Sequence, residues 1–168
     1  MVKLFTQTNV SASSAYDISS TYINSTYDDY QFYIEGTLDT NNQHVRLRYF
    51  TSGSLVTSGY GYNNARLDEN VYYIDVQGAS EIQMARGLTQ TTGSFSIAGT
   101  LRSVNSTTIP TRVLYKVARM YQTDVRGESG VGGQDSTKKT TTVNGLRFLS
   151  SSGNIAIARF TLFGITKT

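Results

Sequence analysis

The sequence predicts an all-β fold: a two-sheet antiparallel sandwich, jelly-roll in type, with eight or nine strands, forming a single domain over residues 1–168. Three observations carry this. Apolar residues alternate at period two over several stretches, the signature of strands buried on one face. Turn residues interrupt those stretches at short intervals, and no segment has a clear helical period. The composition, with twelve Tyr, fifteen Gly, one Pro and no Cys, suits sheets with a hydroxyl-rich surface. A small barrel is the alternative closure.

Val2 to Val10 reads as a first strand, and Ser11 to Ser25 as an ordered crossing whose Tyr16, Ile18, Tyr22 and Ile23 are pinned under a sheet. Tyr30, Phe32, Ile34, Gly36 and Leu38 then share one face of a strand, Asp39-Thr40-Asn41-Asn42 turns, and His44 to Phe50 returns, which predicts a hairpin. Leu55 to Tyr62 is a further segment, followed by a loop from Asn63-Asn64 to about Asn70. Val71 to Val76 and Ser80 to Arg86 read as short strands, although the second also contains helix formers. Ser94 to Arg102 alternates cleanly, with Phe95, Ile97, Gly99 and Leu101 inward and Ser94, Ser96, Ala98, Thr100 and Arg102 outward. Val104 to Pro110 is a loop, and the period-two placing of Val113, Tyr115 and Val117 makes Thr111 to Tyr121 a long strand. Thr123 to Thr140, rich in glycine and poor in apolar residues, reads as a long exposed loop that folding does not need.

The last strands carry the most apolar sequence. Leu146, Phe148 and Ser150 share one face, Ser151-Ser152-Gly153-Asn154 supplies a turn, and Ile155 to Ile165 returns as the second arm of a hairpin. On that arm Ala156, Ala158, Phe160, Leu162 and Gly164 fall on one side and Ile155, Ile157, Phe163 and Ile165 on the other. A strand apolar on both faces belongs inside a sheet with both faces covered, because as an edge it would invite aggregation. This makes Phe163 and Ile165 candidate contacts to another protein surface.

At 168 residues the chain is one ordinary domain. Without Cys there is no disulfide framework, thiolate metal site or cysteine nucleophile. The net charge of +3 is mixed along the chain, not gathered in a basic stripe, which argues against a nucleic-acid partner. The opening Met1-Val2-Lys3-Leu4-Phe5-Thr6 starts no apolar run of signal-peptide length, and no membrane-spanning run occurs, so neither secretion by a leader nor membrane insertion is expected.

Catalytic signals are weak. His44, the one histidine, sits among outward positions beside Arg46 and Arg48 and reads as a surface residue, and no nucleophile-elbow motif occurs. Asp28-Asp29 and Asp68-Glu69 each put two carboxylates side by side, but neighbours on a strand point to opposite faces, and Asp28-Asp29 is better read as bonding nearby backbone. The Asp39 to Asn42 turn lacks the spaced oxygens of a calcium loop. Gly127 to Gly133 superficially resembles a phosphate-binding loop but is not followed by Lys-Ser/Thr opening a helix. No catalytic residue, cofactor or metal is expected. Tyr60, Tyr62, Tyr72 and Tyr73, near glycine-rich turns, are candidates for a glycan or other surface contact, since aromatic faces stack on sugars and anchor interfaces.

The string VNGLRFLSSSGNI…FTLFGI, Val143 to Ile165, resembles the C-terminal signature of small β-rich virion proteins of tailed phages, especially marine ones infecting cyanobacteria and pelagic bacteria. STYDDYQFYIEG, Ser25 to Gly36, resembles the opening segment of the same group. Phe163 stands where that group usually has Tyr, and Val45 to Gln134 matches it less clearly. The resemblance implies a non-enzymatic virion structural protein, made in the host cytoplasm and placed on the exterior as a head-decoration or tail- or fibre-associated subunit. Its partners would be other capsid or tail proteins and further copies of itself. A glycan-binding receptor-recognition module on the same particle is the alternative.

Overall fold

In a computed structural model of the chain, residues 1–67, 72–88, 94–121, 124–135 and 141–166 are described. They form thirteen strands and no helix. These are β1 (Val2–Ser13), β2 (Ala15–Ile18), β3 (Asp29–Leu38), β4 (Gln43–Thr51), β5 (Ser54–Leu55), β6 (Tyr60–Leu67) and β7 (Tyr72–Ala79), followed by β8 (Ile82–Leu88), β9 (Ser94–Arg102), β10 (Arg112–Tyr121), β11 (Asp124–Gln134), β12 (Val143–Ser150) and β13 (Ile155–Ile165). Eight strands make one sheet in the order β1-β13-β3-β9-β10-β11-β6-β7; β2-β12-β4-β5 make the other, with β8 also paired to β4. All pairings are antiparallel. The expected jelly-roll-type sandwich is therefore what the chain forms, with more strands than the sequence suggested.

Both expected hairpins are instead crossings between the sheets. β3 lies in the large sheet and β4 in the small one; β12 lies in the small sheet and β13 in the large one. Each chain reversal is a corner of the sandwich, so period-two patterns on the two arms face each other across the core and do not hydrogen-bond. The two corners hold one another: Asp39 N donates to Asn154 O (3.2 Å), Asn154 N to Asp39 Oδ1 (2.7 Å), and Asn154 Nδ2 to Asp39 Oδ2 (2.8 Å). Gly153 sits at φ 67° between Asp39 and Thr40, where an added Cβ would lie 2.4 Å from their side-chain oxygens. Only glycine fits that approach.

β13 lies between β1 and β3, in the interior of its sheet as expected. Its faces differ from a simple alternation. The register slips between Ile157 and Arg159, so Ile155 and Ile157 are buried on the same side as Phe160 and Leu162. The bulge inserts one residue and inverts the alternation beyond it. Phe163 and Ile165 are left half-buried on the outer face of the large sheet.

The core at this end is aromatic. Phe160 meets Phe5, Tyr16, Phe32 and Phe148 at ring separations of 5.7 to 6.4 Å, and Ile18, Ile34, Leu146 and Leu162 fill between them. Phe32 lies across Gly99, its register partner on β9; a Cβ there would come within 2.2 Å of the ring.

Two expected loops are strands. Asn63 and Asn64 fall inside β6, and residues 124 to 134 of the expected loop form β11, paired along its length to β10 and β6. Their inward residues are polar or glycine, so no apolar alternation marks them: Asn64, Glu128, Gly132 and Gln134 are buried. Residues 136–140 of that expected loop, and the Asp68-Glu69 pair, lie outside the described residues. Part of the expected crossing is also a strand, β2, with Tyr16 and Ile18 buried.

Candidate functional site

Strand register sets out the outer face of the large sheet row by row. One row reads Phe163, Gln31, Thr100, Leu114, Val131, Asn63, Asp75; the next Thr161, Tyr33, Ala98, Lys116, Ser129, Ala65; a third Arg159, Glu35, Ser96, Ala118, Gly127. On β9 every outward residue from Ser94 to Thr100 is small, while β3 on one side carries Gln31, Tyr33 and Glu35 and β10 on the other carries Leu114, Lys116 and Met120, with the small Ala118 between the last two. A trench therefore runs along β9. At 3.3 Å per residue its floor is about 20 Å long. Two hollows lie end to end in it, of about 380 Å³ between Glu35, Ser94, Ser96 and Met120, and about 540 Å³ between Gln31, Thr100, Leu114 and Lys116.

Tyr33 stands on the β3 wall, 42% exposed. Its ring meets Phe163 edge-on at 6.1 Å, and its Oη accepts a hydrogen bond from Gln31 Nε2 at 2.7 Å. Beside it Glu35 is paired with Arg159 at 3.0 Å, both well exposed. Such an exposed pair adds little stability. Tyr33, Glu35, Arg159, Thr161 and Phe163 also line a smaller hollow over β13. The wall thus presents an aromatic face, an amide, a carboxylate and a guanidinium within a few residues, above a floor of hydroxyls.

The sequence-predicted site residues divide. Phe163 belongs to this surface as the support of Tyr33, and Ile165 lies on the same face opposite Asp29 in register. Tyr60 does not belong to any surface: it is fully buried, its Oη donating to Val56 O (3.2 Å) and accepting from Tyr49 N (2.7 Å), and burial pushes its phenol up to about 12. An inward position on β6 overrides its proximity to glycine turns. Tyr62 is half-buried and packed on the core. Tyr72 and Tyr73 are placed in β7, but their side chains lie outside what is described.

His44 is not the surface residue expected. It is half-buried, its Nδ1 accepts the Gly87 N–H at 3.0 Å, and desolvation, helped by Arg46 and Arg86, holds it below the ordinary histidine value. It lies in the small sheet, away from the hydroxyls of the trench. Asp29 accepts from Ser103 N (2.9 Å) and Arg102 Nη1 (2.6 Å), tying β3 to the end of β9; its backbone partner is distant in sequence, not local as expected. Asp29 and Glu35, the carboxylates on the outer face of β3, are about 20 Å apart along the strand, well beyond the roughly 5–9.5 Å of a glycosidase pair. Among the described residues no group of three or more His, Asp or Glu side chains could hold a metal ion.

The sequence shows the floor of the trench as outward positions of one strand but does not show the trench. The missing information was adjacency: only when β3, β9 and β10 are known to be neighbours do small residues on one strand and large ones on the flanking two define a channel.

No family model matches the chain, and no curated protein matches it. Among solved structures, a galectin of Caenorhabditis elegans is similar over 94% of this chain and 95% of its own, at 10% identity and a TM-score of 0.40. A domain of unknown function from Bacteroides vulgatus is similar over 77% of this chain and 98% of its own, at 10% identity and a TM-score of 0.18. The VP2 subviral particle of infectious bursal disease virus is similar over 95% of this chain and 43% of its own, at 10% identity and a TM-score of 0.17. The fold assignment rests on the strand register and not on these likenesses.

Proposed function

We propose that the protein is a non-catalytic glycan-binding module, holding an oligosaccharide in the β9 trench, and that it serves on the exterior of a phage particle. The observation that carries the binding function is the wall of the trench: an exposed tyrosine ring beside the Glu35–Arg159 pair and the Gln31 amide, over Ser96 and Thr100. An aromatic face takes the apolar side of a sugar ring while fixed polar groups take its hydroxyls. The trench is open and elongated, which suits a chain of sugars.

The virion location is supported by the resemblance at Ser25 to Gly36 and Val143 to Ile165. Those segments include most of β3 and all of β12 and β13, strands that build the core and the corners and that also carry Gln31, Tyr33 and Glu35 of the trench wall. A purely structural role has its own observation: Leu114 (51% exposed) and Val131 (43%) are register neighbours on the outer face, an apolar pair suited to a subunit contact.

A glycan array with the purified protein tests the function. Saturable binding that Tyr33→Ala weakens by about tenfold or more, with unchanged thermal stability, is the expected result. Absence of any saturable signal, together with co-sedimentation with particles lacking the protein, would leave the structural role instead.

A further inference from the structure

The two walls of the trench differ in charge balance. On the β3 wall each carboxylate is answered: Glu35 by Arg159 at 3.0 Å and Asp29 by Arg102 at 2.6 Å. On the β10 wall Lys116 is exposed and makes no salt bridge among the described residues. Its register neighbours are Ala98 on one side and Ser129 on the other, both small, so the ammonium can lean over the floor of β9 or toward β11. Arg112, the next cation along the same wall, lines a different depression, together with Asp75 and Asp135. Among the described residues, Lys116 is the charge lining the trench that no salt bridge answers.

We infer that the ligand is an anionic oligosaccharide, carrying a carboxylate or sulfate that Lys116 receives while Tyr33 and the Gln31 amide hold the sugar on the opposite wall. This rests on the glycan-binding function proposed above and narrows it. A neutral glycan would leave Lys116 solvated and gain nothing from it. An anion placed between Ala98 and Ser129 gains a charge-assisted contact in a partly walled site, where it is stronger than on open surface. The flexible stem of lysine suits a carboxylate or sulfate equally, so the geometry selects charge and not the particular acid.

The test is an array of uronate-bearing, sialylated and sulfated glycans beside neutral ones, read with the wild type and with Lys116→Gln at low and at high salt. The expected result is preferential binding of acidic glycans, reduced roughly three- to tenfold by Lys116→Gln and weakened by salt, with the circular dichroism spectrum unchanged. Binding of neutral glycans equally well, or an acidic preference that survives Lys116→Gln, overturns the inference and leaves the glycan-binding function standing. No binding to any glycan overturns both.

Discussion

The two ends of the sandwich interior are built on opposite principles. Under β1, β13, β3 and β9 the space is filled by Phe5, Tyr16, Phe32, Phe148 and Phe160, ring against ring. Under β10, β11 and β6 it holds a buried Arg119–Glu128 ion pair at 2.5 Å, with Asn64 and Tyr115 hydrogen-bonded to each other and both to Gln83 O. The aromatic end gains from apolar burial directly. The polar end gains only if every group is satisfied, and Glu128 Oε2 and the Gln134 amide are buried without a hydrogen bond among the described residues. The polar end also buries Val113, Val117, Ile82 and Met84, so what sets it apart is the charge and hydrogen-bonding groups it encloses along with them.

Removing strand pairing should therefore be most damaging at the polar end. Replacing Arg126 to Gly133 with a short Gly-Ser linker deletes the partner of both β10 and β6 and should abolish cooperative unfolding, seen as loss of a sigmoidal denaturant transition. A variant that kept its midpoint would return this segment to the status of a dispensable loop.

At the aromatic end the comparison sharpens to two phenylalanines on one strand. Phe160 is fully buried among four rings, so Phe160→Ala should cost about 3–5 kcal/mol in denaturant unfolding. Phe163, half-buried on the outer face, should cost about 1 kcal/mol or less when replaced by Ala, and its effect should appear in glycan binding through the loss of support for Tyr33. Equal costs would mean that the outer face is covered in solution.

What was legible in the sequence follows the same division. Tyr30 to Leu38 and Phe95 to Leu101 announced themselves because their inward residues are apolar, and all of those are buried. Asn64 and Glu128 are just as buried, but a polar residue gives no period to read, so nothing in the sequence marks the second half of β6 or the whole of β11 as strand. Tyr60 was misplaced for the converse reason: tyrosine suits both a surface and a core, and only the strand's neighbours decide. The hairpins became corners because alternation reports which face is buried and says nothing about which strand lies alongside. The trench was illegible for that same reason, since it is a property of three adjacent strands.

The buried ion pair offers a smaller test of the polar end. Arg119→Met leaves Glu128 only the more distant Arg66, at 4.0 Å, and should cost about 3 kcal/mol, whereas Arg119→Met with Glu128→Leu should recover part of that loss, since the two most deeply buried charges are gone. A double variant as unstable as the single one would show that the pair's geometry is itself needed to align β10 with β11.

The smallest effect expected, and the one whose sign is most telling, lies at the corner where Asp39 meets Asn154. The Asn154 backbone N–H, with its side-chain amide and Thr40, holds the Asp39 carboxyl below the ordinary carboxylate value. A folded-state value below the unfolded one means that the stabilisation is present above the unfolded value, near 3.9, and is lost as the pH falls through the depressed one. Glu128 runs the other way: burial, only partly offset by Arg119, raises its carboxyl, so its charge opposes folding and acid relieves that opposition. Acid should thus loosen the corner while sparing the polar interior. The check is the thermal midpoint of wild type and Asp39→Asn between about pH 6 and pH 2, bracketing the carboxylate range. The wild type should be the more stable at the upper end, and the two curves should converge as Asp39 is protonated. A constant gap would show that the hydrogen-bonding shape of residue 39, and not its charge, joins the two crossings.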